Sequence, residues 1–269
     1  MDWLIGAVCA AMVAAAAYRR RSLSESGAAA AILMGTIYYG AGNLFWFGTL
    51  LLFFITSTLL TRYGKRRKAE LEKSYAKTGR RDAGQVFANG GIGMILCLLH
   101  AIQPSELWVM LYIGVMATVT ADTWATELGS LSRKQPRSIL GGRKLTAGES
   151  GGITWLGSSA AGAGSLLIGA GGWLLADWSG MDPSFLPYLA AGLTGGLVGA
   201  FADSILGASL QVMYRCQVCG RAVEVSRHCG KATVYHRGFR WLSNDAVNLI
   251  SSLLGGAAAY GTALLFTIY

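Results

Sequence analysis

The sequence is poor in charged residues and in proline. Only 14% of its 269 residues are charged, 53% are hydrophobic, and 4 are prolines. Soluble domains carry about 25% charged residues, so this composition excludes an ordinary soluble protein. The chain also lacks a basic segment before its first apolar run, which disfavours a cleavable signal peptide. Glycine, by contrast, is abundant at 37 residues, which is typical of closely packed membrane helices.

Eight apolar runs have the length of membrane helices. They cover residues 3–18, 27–43, 45–61, 85–102, 106–128, 151–176, 186–210 and 245–268. The runs predict an all-α fold, a polytopic membrane helix bundle in which 1–269 form a single integral membrane domain. Short similar motifs precede the second and sixth runs, and others precede the fourth and eighth. These motifs are consistent with an internal parallel repeat.

Basic residues are absent from every second loop. All 23 lysines and arginines lie in alternate loops, and the charged residues of the other loops are all acidic. The positive-inside rule therefore predicts cytoplasmic basic loops and both termini outside. Three of the basic loops are long: 62–84, the Gly-rich 129–150, and 212–244, which contains cysteine and histidine. We expect a protein of the lipid bilayer, in a bacterial inner membrane, and no nucleic-acid partner, because no reading module accompanies the basic residues.

Apart from Glu106 and Asp245, which occupy the first positions of their runs, three carboxylates lie within the apolar runs. Asp122 and Glu127 belong to the fifth run and Asp203 to the seventh. A carboxylate in hydrocarbon is costly and persists mainly where it serves an ion, a proton or a substrate. Glu127 lies about 140° round an ideal helix from Asp122, so we expect Asp203 to supply the second ligand. The alternative is an internal ion pair with loop arginines.

A stretch with glycines and hydroxyl residues, 148–154, opens the sixth run. Exposed backbone N–H groups at a helix start bind anions, and the helix dipole favours negative charge there. Basic residues just before this stretch strengthen the prediction of a phosphate site, although no Walker A loop is present. The candidate phosphate or nucleotide ligands are Lys134, Arg137, Ser150, Gly151, Gly152, Thr154 and Ser204.

Polar residues also mark the starts of the fourth and eighth runs. Some share a helix face, such as Gln85 with Asn89, and they would either join neighbouring helices or contact a substrate. The candidate supporting residues are Arg81, Gln85, Asn89, Asn244, Asp245 and Asn248.

The last basic loop contains a C-x-x-C motif formed by Cys216 and Cys219, followed by His228 and Cys229. These are zinc-type ligands in a loop that we place in a reducing compartment, where a structural disulfide is not expected. The alternative is a set of reduced loop thiols. A zinc ion here would be accessory to the chemistry.

Five motifs in order resemble one integral membrane family, the domain of unknown function ninety-two. They are 121–129, 136–139, 148–154, 202–208 and 244–248, and the resemblance extends from about residue 23 to the C-terminus. The family includes a plant phytyl-phosphate kinase. The resemblance therefore implies phosphoryl transfer from a nucleoside triphosphate to a prenyl monophosphate.

Charge arguments assign roles in such a reaction. Catalytic Asp122, with Asp203 or Glu127, would hold Mg²⁺ on the nucleotide, and the basic residues would hold phosphate oxygens. Two rivals use the same residues: a CTP-dependent cytidylyltransferase acting on a lipid phosphate, and an ion- or proton-coupled transporter. Acids near the membrane midplane would favour transport, whereas acids near the cytoplasmic rim favour a transferase.

Overall fold

The computed structural model describes residues 1–64, Lys68 and 80–267, and most of this part is helical. Its eight α-helices are α1 (Asp2–Arg19), α2 (Glu25–Ile37), α3 (Leu44–Arg62), α4 (Ala83–Ile102), α5 (Glu106–Gly129), α6 (Trp155–Trp178), α7 (Phe185–Ser209) and α8 (Asn244–Thr267). Seven are long and apolar enough to span a membrane, and the shorter α2 is extended by a π-helical turn, Tyr38–Gly42. The predicted all-α polytopic bundle is confirmed, while the internal repeat stays a prediction. Much of the predicted 62–84 loop lies outside the described residues.

Polar side chains define where several helices begin. The Ser24 hydroxyl accepts a hydrogen bond from the backbone N–H of Gly27 at 3.1 Å and caps α2. A capping box formed by Asp82 and Gln85 begins α4. Such caps satisfy backbone donors that the first helical turn leaves unpaired. The helices begin at these caps, close to the predicted starts of the apolar runs.

Helix α5 is the centre of the bundle. It packs against α3, α4, α6, α7 and α8, and its residues from Val109 to Ala121 are almost all buried. In its apolar 18-residue membrane segment, 67% of the residues are buried, whereas at most 44% are buried in the corresponding segment of any other described membrane helix. A helix that is apolar on all sides is expected at such a position. Polar groups on α5 therefore have to be satisfied inside the protein.

Close helix contact at the middle of the bundle depends on glycine. The Thr118 hydroxyl of α5 donates to the carbonyls of Gly114 at 2.8 Å and Gly195 at 3.1 Å. A Cβ atom at Gly195 would lie 2.8 Å from the Gly114 Cα atom and from the Gly255 carbonyl oxygen. Only glycine allows α5, α7 and α8 to approach this closely.

The helices alternate in direction, so loops 20–24, 130–154 and 210–243 lie at one end of the bundle, here called the basic face. Short antiparallel strands that the all-α prediction did not include organise two of these loops. Strand β1 (Arg137–Ser138) pairs with β2 (Gly152–Ile153). The last loop contains β3 (Met213–Arg215), β4 (Ala222–Val223), β5 (Arg227–His228), β6 (Lys231–Ala232) and β7 (Val234–Arg237). Strand β3 lies between β4 and β7, and β5 pairs with β6.

Candidate functional site

A cavity of about 830 Å³ lies at the basic face. Its walls are the ends of α3 to α8 and the loops 130–154 and 210–243. Of the catalytic, phosphate-binding and supporting residues predicted from the sequence, all but Arg137 line it, and the four predicted zinc ligands lie outside its lining. Those lining it are Asp122, Glu127, Asp203, Lys134, Ser150, Gly151, Gly152, Thr154, Ser204, Arg81, Gln85, Asn89, Asn244, Asp245 and Asn248. The Arg137 guanidinium instead donates to the Gly142 carbonyl at 3.0 Å, within its own turn.

Carboxylates form the inner part of the cavity. Asp122 lies seven residues before the end of α5, about 10 Å along the axis, and Asp203 lies six residues before the end of α7, about 9 Å. Their charges interact with each other and with Glu224 of the 210–243 loop. The Ser251 hydroxyl of α8 donates to Asp203 Oδ2 at 3.2 Å. Three elements thus bring carboxylates to one place, and Glu224 is one that the sequence patterns did not indicate.

Cations line the outer part of the cavity. The side chains of Arg133, Lys134 and Lys144 are solvent-exposed and belong to the loop between α5 and α6. Arg81 and Lys68 line the cavity on the side of α3 and α4. The exposed cations of the loop between α5 and α6 therefore lie at the mouth of the cavity, whereas Asp122 and Asp203 lie further along their helices.

Glu127 differs from the other acids because it is already paired. Its two carboxylate oxygens accept hydrogen bonds from Thr61 and Lys68, both at 2.6 Å. The Lys68 ammonium also donates to the Leu60 carbonyl at 2.8 Å, and its side chain is only 3% exposed. For Glu127, the structure therefore shows an internal ion pair, which is the alternative to a ligand role. Its partner is Lys68 and not one of the loop arginines. This pair ties α3 to α5.

Arg81 is held on one side by aromatic rings. Its guanidinium carbon lies 5.5 Å from the centroid of Phe53 and 5.6 Å from that of Phe54. Its backbone N–H donates to the Ser22 carbonyl at 2.9 Å, which fixes the segment before α4. Burial lowers the pKa of Arg81, and the negative charge of Glu127 opposes that shift. The rings and the backbone bond hold this cation at the edge of the cavity.

The polar residues of α4 and α8 were expected either to join helices or to contact a substrate. Gln85 accepts from the Asp82 backbone N–H at 3.2 Å, and Asn89 donates to the Gln85 carbonyl at 2.8 Å. Both bonds lie within the start of α4, and among the described residues neither side chain forms a hydrogen bond to another helix. Asn244, Asp245 and Asn248 line the cavity from the first turns of α8.

The predicted phosphate-binding helix start requires a correction. Helix α6 begins at Trp155, not at residue 151, because Gly152 pairs in β2 and Thr154 caps the helix through the Gly157 N–H at 3.0 Å. Ser150, Gly151 and Gly152 therefore lie in the loop before the helix and not in its first turn. They line the cavity from there.

This loop is fixed by a close backbone approach and by a hydrogen-bond chain. Gly151 has φ +82°, and a Cβ atom there would lie 2.6 Å from the Ala208 Cα atom of α7. The Ser150 hydroxyl donates to Gln211 Oε1 at 3.0 Å, and Gln211 Nε2 donates to Glu224 at 2.9 Å. The two loops thereby share one wall of the cavity.

Three cysteines and one of the two histidines of the last loop converge on one point. The ligand atoms of Cys216, Cys219, His228 and Cys229 all lie within 4.8 Å of one another, so this group can hold a metal ion. Hydrogen bonds lower the pKa of Cys216 to about 6, chiefly from the backbone of Cys219 and then from His228. All four predicted zinc ligands are thus brought together.

Fold and cavity together define a polytopic membrane protein with a charged chamber at one membrane face. A family model described as Integral membrane protein DUF92 matches residues 8–256, and the chain belongs to this family. The family resemblance predicted from the five motifs is therefore confirmed. The orientation and the kind of membrane stay predictions.

Individual relatives cover most of the chain. Protein PGR of Arabidopsis thaliana is 32% identical over 239 residues, which is 81% of each chain. An uncharacterized membrane protein of Methanocaldococcus jannaschii is 31% identical over 208 residues, 77% of this chain and 71% of its own. Protein VTE6, chloroplastic, of Arabidopsis thaliana is 24% identical over 230 residues, 84% of this chain and 60% of its own. No solved structure matches the chain.

Proposed function

We propose that this protein is a membrane phosphotransferase that moves the terminal phosphoryl group of a nucleoside triphosphate to a prenyl monophosphate. The observation that carries the proposal is the layered charge of the cavity, with carboxylates inside and cations at its mouth. Both substrates are phosphates, so their mutual repulsion has to be neutralised. The cavity volume of about 830 Å³ is in the range of nucleotide-sized ligand sites.

The inner carboxylates suit Mg²⁺ as the nucleotide counter-ion. Mg²⁺ prefers hard oxygen ligands and is commonly held by one or two carboxylates together with substrate phosphates and water. Asp122 and Asp203 provide such a pair on two rigid helices. When bound, the ion would withdraw charge from the phosphates. Glu127, paired with Lys68, would act by positioning that lysine at the cavity.

The proposed step needs no general base. An oxygen of the prenyl phosphate, already ionised at neutral pH, forms a bond to the terminal phosphorus, and the bridging P–O bond breaks. The electron pair of that bond leaves with the nucleoside diphosphate, and the product is a prenyl diphosphate. Arg81, Lys68 and Lys134 would bind phosphate oxygens as their charge shifts between donor and acceptor.

An apolar groove next to the cavity suits the prenyl tail. The groove has a volume of about 60 Å³ and is lined by apolar residues of α1 to α4. Arg81, Gln85 and Asn89 line both the groove and the cavity. A prenyl phosphate whose head group lies at Arg81 would therefore place its first isoprene units between these helices.

The bundle geometry favours a transferase over a transporter. Asp122 is seven residues from the basic end of α5 and sixteen from the other end. One turn further in, Thr118 and Gly195 bring α5 and α7 into direct contact through the Thr118 hydroxyl. A substrate reaching the acids from the basic face would thus meet a tightly packed helix contact beyond them.

The experiment is a product assay on protein purified in detergent with Mg²⁺, four nucleoside triphosphates and prenyl monophosphates of several lengths. Mass spectrometry would identify both products. We expect prenyl diphosphate with nucleoside diphosphate, and at least about a 100-fold loss of rate in Asp122→Asn. Asp177→Asn, an exposed acid at the far end of α6, is the matched control and should keep full activity.

Other product patterns would overturn the proposal. A nucleotidyl-lipid together with pyrophosphate would identify a cytidylyltransferase instead. No product from any pair, with an Asp122-dependent ion flux in vesicles, would identify a transporter.

A further inference from the structure

Four soft ligand atoms converge in the loop that follows α7. The His228 Nδ1 atom lies 3.5 Å from the Cys219 sulfur and 3.3 Å from the Cys229 sulfur. The Cys216 sulfur belongs to the same group, in which all ligand atoms are within 4.8 Å of one another. In contrast, Cys9 and Cys97 lie in α1 and α4, away from this loop.

These separations match those of a tetrahedral metal site. Zinc binds sulfur at about 2.3 Å and nitrogen at about 2.0 Å, so its ligand atoms lie roughly 3.5–3.8 Å apart. The two distances from His228 are within about 0.3 Å of that range. Small shifts of side chains would bring the remaining sulfur atoms to bonding distance.

Two tight turns present the ligands. After Cys216, the Val218 N–H approaches the Cys216 sulfur at 3.4 Å, and Gly220 with φ +71° closes the turn. The second turn joins β5 to β6 through Cys229 and Gly230, with φ +51° and +74°. Positive φ at a cysteine is unfavourable, so a ligand role at Cys229 would account for it. The same turn explains how two adjacent residues, His228 and Cys229, reach one point.

We propose that Cys216, Cys219, His228 and Cys229 bind one structural zinc ion that holds the 210–243 loop in the wall of the cavity. Three thiolates with one imidazole favour zinc over harder cations such as Mg²⁺. Glu224 lies between the two ligand pairs and accepts from Gln211, which in turn accepts from Ser150. The metal thereby positions Glu224 beside Asp122 and Asp203. The proposed metal site does not depend on the proposed function, whereas the role of Glu224 in the reaction rests on that proposed function.

Metal content tests the site directly. Protein expressed with zinc in the medium and purified without chelator should contain about one zinc ion per chain by elemental analysis. Cys219→Ser and Cys229→Ser should lose most of it, and Cys9→Ser, in α1, is the matched control that keeps it. Far-ultraviolet circular dichroism would verify that each variant retains its helices. Absence of zinc from the folded native protein, a Cys216–Cys219 disulfide, or equal zinc in all variants would overturn the proposal.

Hydrogen exchange tests the positioning of the loop. Removal of zinc with a chelator should increase exchange in 213–237 and leave α5 and α7 unchanged, and added Co²⁺ should give the visible absorption of a tetrahedral thiolate complex. Unchanged exchange in that segment would contradict a structural role for the metal.

The role of Glu224 is tested separately. Glu224→Gln should keep the zinc but lower the transferase rate. If no transferase activity exists in any preparation, the zinc content and the exchange still decide the metal proposal.

Discussion

At the scale of single residues, the pair of Lys68 and Glu127 is the shortest ion pair in the part of the chain that the structure describes. Both groups are largely withdrawn from solvent, at 3% and 17% exposed, and their atoms lie 2.6 Å apart. Removal of one partner of such a pair leaves the other charge without compensation. This buried pair fixes the Lys68 ammonium beside the carboxylates of the cavity. An exposed ion pair would not hold a cation in place in this way.

We therefore predict that Glu127→Gln and Lys68→Met each lower the free energy of unfolding by about 3 kcal/mol. The double variant should recover part of the loss, because no unpaired charge remains. The measurement is the thermal midpoint in detergent, analysed as a double-mutant cycle. Exposed Arg143, 3.7 Å from Glu149, gives the control: Arg143→Met should change stability little. Additive effects of Lys68 and Glu127 would contradict the coupling.

The site residues divide into those that the sequence could indicate and those that it could not. Asp122 and Asp203 were predictable because a carboxylate inside an apolar run is costly and therefore indicates a functional role. Lys68 and Glu224 were not, since each lies in a stretch of sequence that has many charges and no hydrophobic periodicity. Their roles depend on tertiary contacts, the ion pair with Glu127 and the bond from Gln211. No local pattern records such contacts.

At the scale of helices, the approach of α8 to α5 and α7 depends on Gly255. A Cβ atom there would contact the Thr118 hydroxyl and would lie 2.6 Å from the Gly195 carbonyl oxygen. We predict that Gly255→Ala destabilises the protein by about 1–3 kcal/mol through overpacking. Gly261→Ala is the control in the same helix, because a Cβ atom at Gly261 meets nothing within 4 Å. The thermal midpoints of the two variants in detergent provide the test, and equal midpoints would contradict this packing argument.

The groove between α1 and α4 leads to a prediction on substrate length. Ala31 lines the groove, whereas Ala29 of the same helix is exposed. We expect Ala31→Trp to raise KM for long prenyl monophosphates about tenfold, leaving KM for the nucleotide unchanged, because the indole would occupy the tail path. Ala29→Trp should leave both values unchanged. Steady-state kinetics over a series of chain lengths is the measurement, and an equal effect on short and long substrates would contradict it.

Helix existence was predictable from the sequence, while one helix start was not. Each of the eight apolar runs became a helix because its length and hydropathy leave no other way to satisfy its backbone in a membrane. The composition of the glycine-rich segment before α6 predicts that this segment belongs to the helix. In the structure β1 pairs with β2 there, and Thr154 provides a cap after it. Pairing with a distant segment outweighed local composition.

At the scale of the whole molecule, two halves meet at the cavity. Helices α1 to α4 surround the apolar groove, and α5 to α8 form the close-packed part that carries the carboxylates. Arg81 stands at the junction, lining both spaces. This division suits a reaction between a lipid-borne acceptor and a water-soluble donor. The acceptor would approach from the bilayer through the groove, and the donor would approach from water through the cavity.

The proposed reaction requires that the cavity, which would bind the nucleotide, open to the compartment that contains nucleotides. The positive-inside rule predicts this, because in the sequence every lysine and arginine falls in alternate loops between the apolar runs. Reporter fusions would test it in a bacterial host: alkaline phosphatase fused after Ser184 should be active, and fused after Gly142 inactive. Green fluorescent protein at the same two positions should give the opposite pattern. If the fusion at Gly142 proved external, the cations would face away from the cytoplasmic nucleotide pool. The phosphotransferase would then lack its donor, and the carboxylates would need another explanation.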